Sequence, residues 1–324
     1  MLVPFAIEAE AIAGEAHWTP RELRGHHDAL LRAWKRIGLF VFDGEHLSNS
    51  RLRQVIDDIG EGSVLRGRWN DFVQRVPVVA GGQLWSGDLD ATTLDGLSRV
   101  ARICFARNAQ VETLEAEAQA LKLELITLAS TGACNGFTEG ERAAALHIRQ
   151  GDGAREVWEQ RFAPLAATSS DRLKRVSIVD PYAVTRHVIE RKEELTRFLT
   201  YLSASSVKAK HVSVYALSPF RDNRPIPTGE IIADLQRLRD NDALPRIASL
   251  TAYLAGGQRI NRDRFVMFGD HYVWDLGHGL EPFEADIVTR DCAVSLKTWD
   301  ATKSYADIID SMTADVRAIH IWGP

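Results

Sequence analysis

The stretch TPRELRGHHDALLRAWKRIGLFVFDG, residues 19–44, decides the fold class, because it places an amphipathic helix directly before a buried strand. Thr19 is a good helix cap, a proline follows at the first helical position, and Glu22 can reach back to the cap. Gly38 ends the helical pattern. The apolar run 39–42 that follows is typical of a strand buried on both faces.

The same alternation of helix and strand continues through the first half of the chain. Short apolar runs, such as 103–105 and 123–130, predict further strands, and helical patterns separate them. A capping pattern from Thr138 to Glu141 predicts that another helix begins there. Strands that alternate with helices imply a mainly parallel sheet, so we expect an α/β domain over residues 1–168.

A short polar segment, residues 166–171, precedes a second α/β pattern. We therefore predict a domain boundary there and a second domain over residues 172–324. Two apolar runs flank Gly269-Asp270, which predicts a hairpin with a two-residue turn. A chain of 324 residues also exceeds the size at which a single core usually stops growing.

The composition is that of a globular protein in a reducing compartment. Hydrophobic residues make up 45% of the chain and charged residues 26%, which excludes a disordered or fibrous chain. Three widely spaced cysteines form neither a disulfide framework nor a zinc motif, so we expect a cytoplasmic protein. We expect no membrane insertion, because the sequence has no long uncharged apolar run and no basic, apolar leader.

Charge is unevenly distributed, although the formal net charge is only −5. Residues 172–224 carry 11 basic and 5 acidic side chains, whereas residues 270–324 carry 4 and 10. Such stretches are typical either of two solvated faces or of a surface that attracts a polyanion. The mild overall acidity argues against a protein dedicated to binding nucleic acid.

Several predicted strands of the first half are followed by carboxylates, namely Glu8, Glu10, Asp43, Glu45, Asp88 and Asp90. In an open parallel sheet, ligands bind beyond the carboxyl ends of the strands. Asp43, Glu45 and Asp88 are therefore a candidate Mg²⁺ site, with Asp43 and Glu45 also candidate catalytic residues that direct water at a phosphodiester, as in PIN-like nucleases. Solvated loops and helix caps are the alternative interpretation.

The second half contains a series of short motifs in a distinctive order. A strand at 176–179 runs into DPY at 180–182, and a strand–helix–strand unit follows. RDRF at 262–265 then precedes WDLGHGLEPF at 274–283. These motifs resemble the phospholipase D-like domain at the C-terminus of MIT-domain proteins and of diverse bacterial proteins. The resemblance covers roughly residues 176–310 and implies a phospholipase D-like α/β fold for the second domain.

The resemblance also implies a chemistry. In active members, a histidine attacks phosphorus and a cation two residues later binds the phosphate oxygens. One copy per chain implies a homodimer, because a second histidine must act as the acid. Here Arg262 stands at the histidine position, and a guanidinium that stays protonated can neither attack nor shuttle protons. The resemblance therefore implies a degenerate domain that holds an anion without cutting it.

The candidate phosphate-binding residues are arginines on or near these motifs, namely Arg262, Arg264, Arg259, Arg221 and Arg224. Guanidinium groups suit bidentate contact with phosphate oxygens. In the alternative interpretation, the first two pair with Asp263 or Asp270 at the surface. A displaced nucleophile, His278 or His271, would instead restore hydrolysis and make the former a catalytic residue.

Two functions follow from these residues. The first is a binding or assembly component whose second domain needs no cofactor and recognises a phosphate-bearing ligand, such as a nucleic acid backbone, or a partner protein. The second is a nuclease acting on DNA or RNA, either through the acidic first domain with Mg²⁺ or through His278. A role in a multicomponent bacterial antiviral defence system is a further expectation, by analogy of fold and setting only.

Overall fold

The computed structural model of the chain describes residues 1–15, 17–59, 63–168, 170–240, 244–256, 263–316 and 318–323. The chain divides into two units, Met1–Ala143 and Ala144–Pro324. Each unit contains a β-sheet and helices, which confirms the predicted α/β class. Within the described residues, no helix combines the length and the apolar content that a membrane crossing requires.

The first unit is built on five described strands. In chain order, its strands and α-helices are β1 (Val3–Ile7), α1 (Pro20–Ile37), β2 (Gly38–Phe42), α2 (Arg51–Asp58), α3 (Val64–Arg75), β3 (Val78–Ala80), α4 (Leu94–Ser98), β4 (Ile103–Phe105), α5 (Asn108–Ala120), β5 (Glu124–Ile126) and α6 (Asn135–Ala144). The strands pair in parallel in the order β3-β2-β1-β4-β5, which confirms the mainly parallel sheet. The strand order changes direction at β1, beside β4.

The predicted connection between α1 and β2 is present. Thr19 and Glu22 form the reciprocal capping box at the start of α1. Gly38 is the first residue of β2, and a Cβ atom there would lie 2.7 Å from atoms of both Phe5 and Trp34. Glycine therefore allows the chain to pass from helix to strand against these two rings, which pack edge to face at 5.6 Å.

The start of α6 differs from the prediction. The helix begins at Asn135, three residues before the predicted capping pattern at Thr138. Glu124 explains the difference, because its carboxylate accepts hydrogen bonds from the backbone N–H groups of Asn135 at 2.8 Å and Gly136 at 2.6 Å. A side chain from β5 therefore caps this helix in place of a local residue.

The second unit is built on a larger, mixed sheet. In chain order, its strands and α-helices are α7 (Ala154–Arg161), α8 (Ala163–Ala166), β6 (Arg175–Val179), α9 (Ala183–Val188), α10 (Glu194–Ser205), β7 (Lys210–Leu217), β8 (Phe220–Arg221), β9 (Arg224–Pro225), α11 (Thr228–Asp240), β10 (Ile247–Ala255), β11 (Phe265–Phe268), β12 (Tyr272–Leu276), β13 (Val294–Thr298), α12 (Lys303–Asp315) and β14 (Ala318–Trp322). The sheet order is β13-β12-β11-β6-β7-β10-β14. Of these seven strands, β6, β7 and β10 are parallel to one another, and the flanking strands are antiparallel.

Two local features of this sheet differ from the sequence predictions. The hairpin of β11 and β12 is present, but Phe268 pairs with Tyr272, so its turn has three residues rather than two. The sequence of residues 305–319 predicts one closing helix, but α12 ends at Asp315 and the residues after it form β14. This strand pairs antiparallel with β10 and completes one side of the sheet.

The division between the units falls between residues 143 and 144, before the polar segment 166–171 in which the sequence predicts the boundary. Trp158 and Phe162 account for the difference. Their rings lie 5.1 and 5.6 Å from the ring of Phe198, and both also pack against Phe283. Helices α7 and α8 therefore contribute to the aromatic core of the second unit.

Candidate functional site

One edge of the larger sheet gathers residues that are far apart in sequence. The carboxyl ends of β6, β7 and β10 share this edge because the three strands are parallel. β11 begins here, since Phe265 pairs with Val179, and the antiparallel β12 ends here. Tyr182, Arg264 and His278 therefore all lie next to strand ends on one side of the sheet.

Asp180 holds this edge together. It follows β6 directly and is 1% exposed. One carboxylate oxygen accepts a hydrogen bond from the backbone N–H of Tyr182 at 3.0 Å, and the other accepts from that of Leu280 at 3.1 Å. Gly279 crosses the same carboxylate with a φ of +64°, where a Cβ atom would collide with it. One buried carboxylate therefore ties the DPY segment to the loop after β12.

Arg186 is the buried cation of the site. Its Nη1 donates to Glu194 at 3.1 Å and its Nη2 to Glu281 at 2.7 Å, while Asp180 lies 3.7 Å away. Glu281 is also paired with Arg290. Burial raises the pKa of Glu194, and the charge of Arg186 opposes that shift. The charge of Arg186 is therefore neutralised by carboxylates of the protein itself.

Arg264 has a different environment. Its guanidinium lies 5.4 Å from the centre of the Tyr182 ring, in cation–π geometry, and its Nη1 is 3.5 Å from the carbonyl oxygen of Gly277. In the described segments, no carboxylate is within salt-bridge distance of this guanidinium. The Tyr182 side of the pair is 44% exposed. Arg264, which has no carboxylate partner in the part of the chain that the structure describes, therefore rests on an aromatic ring that is open to solvent.

His278, the candidate nucleophile, is half-buried on the loop after β12. Its burial lowers its pKa from the ordinary value of 6.5, and the positive charges of Arg290, Arg264 and Arg186 lower it further. At neutral pH the site therefore contains an uncharged imidazole among three guanidinium groups.

The opposite end of the same hairpin holds His271 and Asp270. His271 stacks on Trp299 with ring centroids 4.3 Å apart. Asp270 pairs with Arg175 at 2.8 Å. Because these residues lie in the turn between β11 and β12, the structure does not bring His271 to the candidate site. Asp270, one of the two partners that the alternative interpretation offered for Arg264, pairs with Arg175 instead.

Two further predicted phosphate-binding residues, Arg221 and Arg224, lie on the short hairpin β8–β9, which follows the carboxyl end of β7. Both side chains are exposed, and Arg221 pairs with Glu230 at 2.8 Å. The turn residues Asp222 and Asn223 adopt the left-handed conformation, with φ of +52° and +60°. The hairpin therefore begins at the same sheet edge as Arg264.

Arg259 and Arg262, the remaining two predicted phosphate-binding residues, lie outside the described residues. They belong to residues 257–262, between the end of β10 and the start of β11. Both flanking strand ends lie at the candidate edge. The position that the resemblance assigns to the nucleophile is therefore not described.

The first unit has its own cluster at the carboxyl edge of its parallel sheet. Glu8 follows β1 and is completely buried. Arg107, after β4, donates to it through Nη2 at 2.8 Å and Nε at 3.2 Å, and Gln110 donates at 2.7 Å. Since β1 and β4 are neighbours where the strand order changes direction, this cluster lies where open parallel sheets bind ligands.

Arg51 lies between other carboxylates of this edge. Its Nη1 donates to Asp88 at 2.6 Å, its Nη2 to Glu10 at 2.5 Å, and its backbone N–H to Asp43 at 2.8 Å. Hydrogen bonding to Arg51 lowers the pKa of Asp88, whereas burial raises the pKa of Asp43. A cationic side chain therefore already occupies the space between these carboxylates.

The three predicted Mg²⁺ ligands are only partly brought together. Asp43 and Asp88 both contact Arg51, whereas Glu45 is exposed on the loop after β2. The Asp90 carboxylate lies 3.8 Å from the guanidinium of Arg107. No group of three His, Cys, Asp or Glu side chains is arranged to hold a metal ion in the part of the chain that the structure describes.

The sequence analysis did not single out the arginines that bind the buried carboxylates of the two units. Arg107 directly follows the apolar strand 103–105, so its position beyond a strand end was a usable signal. Arg51 and Arg186 lie in helices, where charged residues are ordinarily solvated. No local pattern marks these two as partners of buried carboxylates.

Comparisons with known proteins add little to this geometry. No known protein family and no curated protein matches the chain. Among solved structures, the phosphatidylserine synthase of Haemophilus influenzae Rd KW20 is similar over 50% of this chain and 37% of its own, at 12% identity and a TM-score of 0.29. The similarity spans little more than a third of that enzyme and, at this TM-score, supports neither a fold nor an activity for this chain.

Proposed function

We propose that the second unit binds a phosphate-bearing ligand at the carboxyl edge of its sheet, and that the protein is a binding or assembly component. One observation carries the proposal. Arg264 rests on the exposed ring of Tyr182 and has no carboxylate partner among the described residues. Its guanidinium donors therefore remain available for an anion.

The surrounding contacts support a preformed site. Asp180 fixes the segment that carries Tyr182, and Arg186 neutralises the carboxylates beneath it. Asp180, Tyr182 and Arg186 are therefore held in place before a ligand arrives, which reduces the entropy cost of binding. His278 adds an imidazole whose pKa is lowered in part by the charge of Arg264.

The proposed ligand is a nucleic acid backbone, which presents repeated phosphodiesters to such a site. Arg224, on the β8–β9 hairpin that follows the carboxyl end of β7, adds an exposed arginine near the same strand ends, whereas Arg221 is already paired with Glu230. We propose binding without hydrolysis, because the sequence has arginine at position 262 where an active relative has its histidine. The homodimer, the partner protein and the antiviral role that the resemblance implies stay predictions.

The test is a titration of labelled single-stranded and duplex oligonucleotides at low salt, followed by fluorescence anisotropy. Arg264→Ala should weaken binding about tenfold and reduce the salt dependence by about one phosphate contact. Arg155→Ala is the matched control, because Arg155 is an exposed arginine of the same unit that pairs with Glu159 on its own helix. Equal affinity of wild type and Arg264→Ala would remove the proposal.

The alternative, a Mg²⁺-dependent nuclease in the first unit, is favoured by the position of Asp43 and Asp88, two of its three candidate ligands, on loops that follow strands of a parallel sheet. Arg51 opposes it by filling the space between the carboxylates. Cleavage that requires Mg²⁺ and disappears in Asp43→Ala would support this alternative. Cleavage that persists in EDTA and is lost in His278→Ala would place hydrolysis in the second unit.

A further inference from the structure

The second unit holds a separate cavity of about 330 Å³ on the face of the sheet that α12 partly covers. Its lining includes Arg175 and His211, which are paired near the amino ends of β6 and β7. The Arg264 site lies at the carboxyl ends of the same strands. The cavity is therefore distinct from the proposed anion site.

Two polar rows cross the sheet at this cavity, and of their members Ser177, Ser213 and His211 line it. Ser177 of β6 pairs with Ser213 of β7, which pairs in turn with Thr251 of β10. In the next row, His211 lies opposite Ser249, and its Nδ1 is 2.9 Å from the Ser249 hydroxyl. A sheet face that packs against a helix is ordinarily apolar. Two adjacent rows of hydroxyl and imidazole groups depart from that pattern, as functional positions do.

A pair of stacked tyrosines belongs to the lining of the cavity. The rings of Tyr215 and Tyr253 stack with centroids 4.6 Å apart and an angle of 9° between their planes. The Tyr215 hydroxyl is 3.2 Å from the Thr313 hydroxyl on α12. This part of the lining therefore combines an apolar aromatic surface with hydroxyl groups at its rim.

The helix α12 supplies the opposite wall. Ala306, Ile309, Asp310 and Thr313 line the cavity, and their spacing places them on one face of the helix. In the described residues, neither the Asp310 carboxylate nor the Ser177 hydroxyl has a hydrogen-bond partner. An acceptor on the helix and a hydroxyl on the sheet therefore remain available across the same cavity.

The charges of the lining residues indicate which ligands fit. Arg175 pairs with Asp270 at 2.8 Å, so its charge is already compensated. Asp310 is exposed at the cavity and, within the described residues, pairs with no cation. These charges disfavour a phosphate, whereas a carboxylate and several hydroxyls suit the hydroxyl groups of a sugar. The volume falls at the lower end of the range for small-molecule sites.

We propose that this cavity binds a neutral polyhydroxylated ring, either the ribose of a nucleoside or a free hexose. Asp310 accepts hydrogen bonds from neighbouring hydroxyls of the ring, and Ser177 and His211 contact its other polar groups. The Tyr215–Tyr253 pair forms the apolar wall. The proposal adds a second, uncharged ligand to a protein whose other proposed ligand is an anion.

The test uses ligand-observed saturation-transfer NMR with adenosine, ribose and glucose as probes of the full chain. Asp310→Asn should weaken binding at least about tenfold, because a hydrogen bond to a charged acceptor is lost. Asp307→Asn, on the same helix but outside the cavity lining, is the matched control and should bind as wild type does. Adenosine binding alone identifies a nucleoside, and glucose binding alone identifies a free sugar.

Three results would overturn the proposal. The first is no saturable binding of any of the three probes at millimolar concentration. The second is equal binding by wild type, Asp310→Asn and the cavity-filling variant Ser177→Leu, which would place the probes elsewhere. The third is displacement of the probes by inorganic phosphate, which would place them at the Arg264 site.

Discussion

The two sheets of this protein differ in how the arginines at the carboxyl ends of their strands are paired. In the first unit, carboxylates lie beyond the strand ends, and the guanidinium groups of Arg51 and Arg107 donate hydrogen bonds to them. In the second unit, Arg186 likewise donates to a buried carboxylate, that of Glu194. Arg264 instead lies over the exposed ring of Tyr182. The comparison shows that the partners of a cation, rather than its place beyond a strand, decide whether its charge is neutralised by carboxylates of the same unit.

The largest expected effect separates the two arginines of the second unit. Arg186→Met leaves Glu194 and Asp180 buried without their cation, so we expect the free energy of unfolding to fall by about 3–5 kcal/mol. Arg264→Ala removes no buried partner and should change it by less than about 0.5 kcal/mol. Urea denaturation measures both. Equal losses of stability in the two variants would contradict the distinction.

The next prediction is that one substitution creates a cation site at the carboxyl edge of the first unit's sheet. Arg51→Ala should free Glu10 and Asp88 to bind a divalent cation, which the wild type should bind poorly. Mn²⁺ at about 100 times its dissociation constant should then stabilise the variant by about 2.7 kcal/mol. Thermal unfolding with and without Mn²⁺ measures the effect.

Arg99→Ala provides the control for that experiment, because it breaks only an exposed pair with Asp95 in the same unit. It should show no Mn²⁺ response. If Mn²⁺ does not stabilise Arg51→Ala either, the guanidinium of Arg51 does not occupy a potential cation site.

The smallest expected effect concerns pH at the second edge. The pKa of His278 is lowered from 6.5 in the ligand-free protein, so its contribution to stability is lost as the pH falls below about 6.5. A bound phosphate stabilises the protonated imidazole and raises this pKa. Affinity for the oligonucleotide should therefore rise as the pH falls from about 7 to about 5.5, by up to about tenfold for each unit of pKa increase.

Anisotropy titrations at constant ionic strength measure this dependence, and His278→Ala should remove it while retaining binding at pH 7. The same slope in wild type and in His278→Ala would assign the proton uptake to another group.

Local signals predicted the elements that depend on neighbouring residues in the chain. The capping box at Thr19 and the apolar run after Gly38 were sufficient for α1 and β2. The start of α6 was not predictable in this way, because Glu124 caps it from a neighbouring strand. β14 was missed for a related reason, since its pairing partner β10 is distant in sequence and only the sheet makes the pairing visible.

The candidate site was predictable only in part. The motifs pointed to Asp180, Arg264 and His278, and the structure places them beside strand ends at one edge of the sheet. The sequence did not indicate which arginine charges are neutralised, because the partners of Arg186 come from three separate segments. Charge compensation of this kind is a property of the folded chain, not of a motif.

The final strand has a practical consequence. β14 covers the outer edge of β10, a nine-residue strand, and Trp322 donates a hydrogen bond to the carbonyl of Ile247. Removing residues 318–323 would leave that long edge without its neighbour, and unpaired edges of this kind recruit other chains into intermolecular sheets. Shortened versions of the protein intended for crystallisation should therefore keep these residues, and a purification handle placed after them needs a spacer.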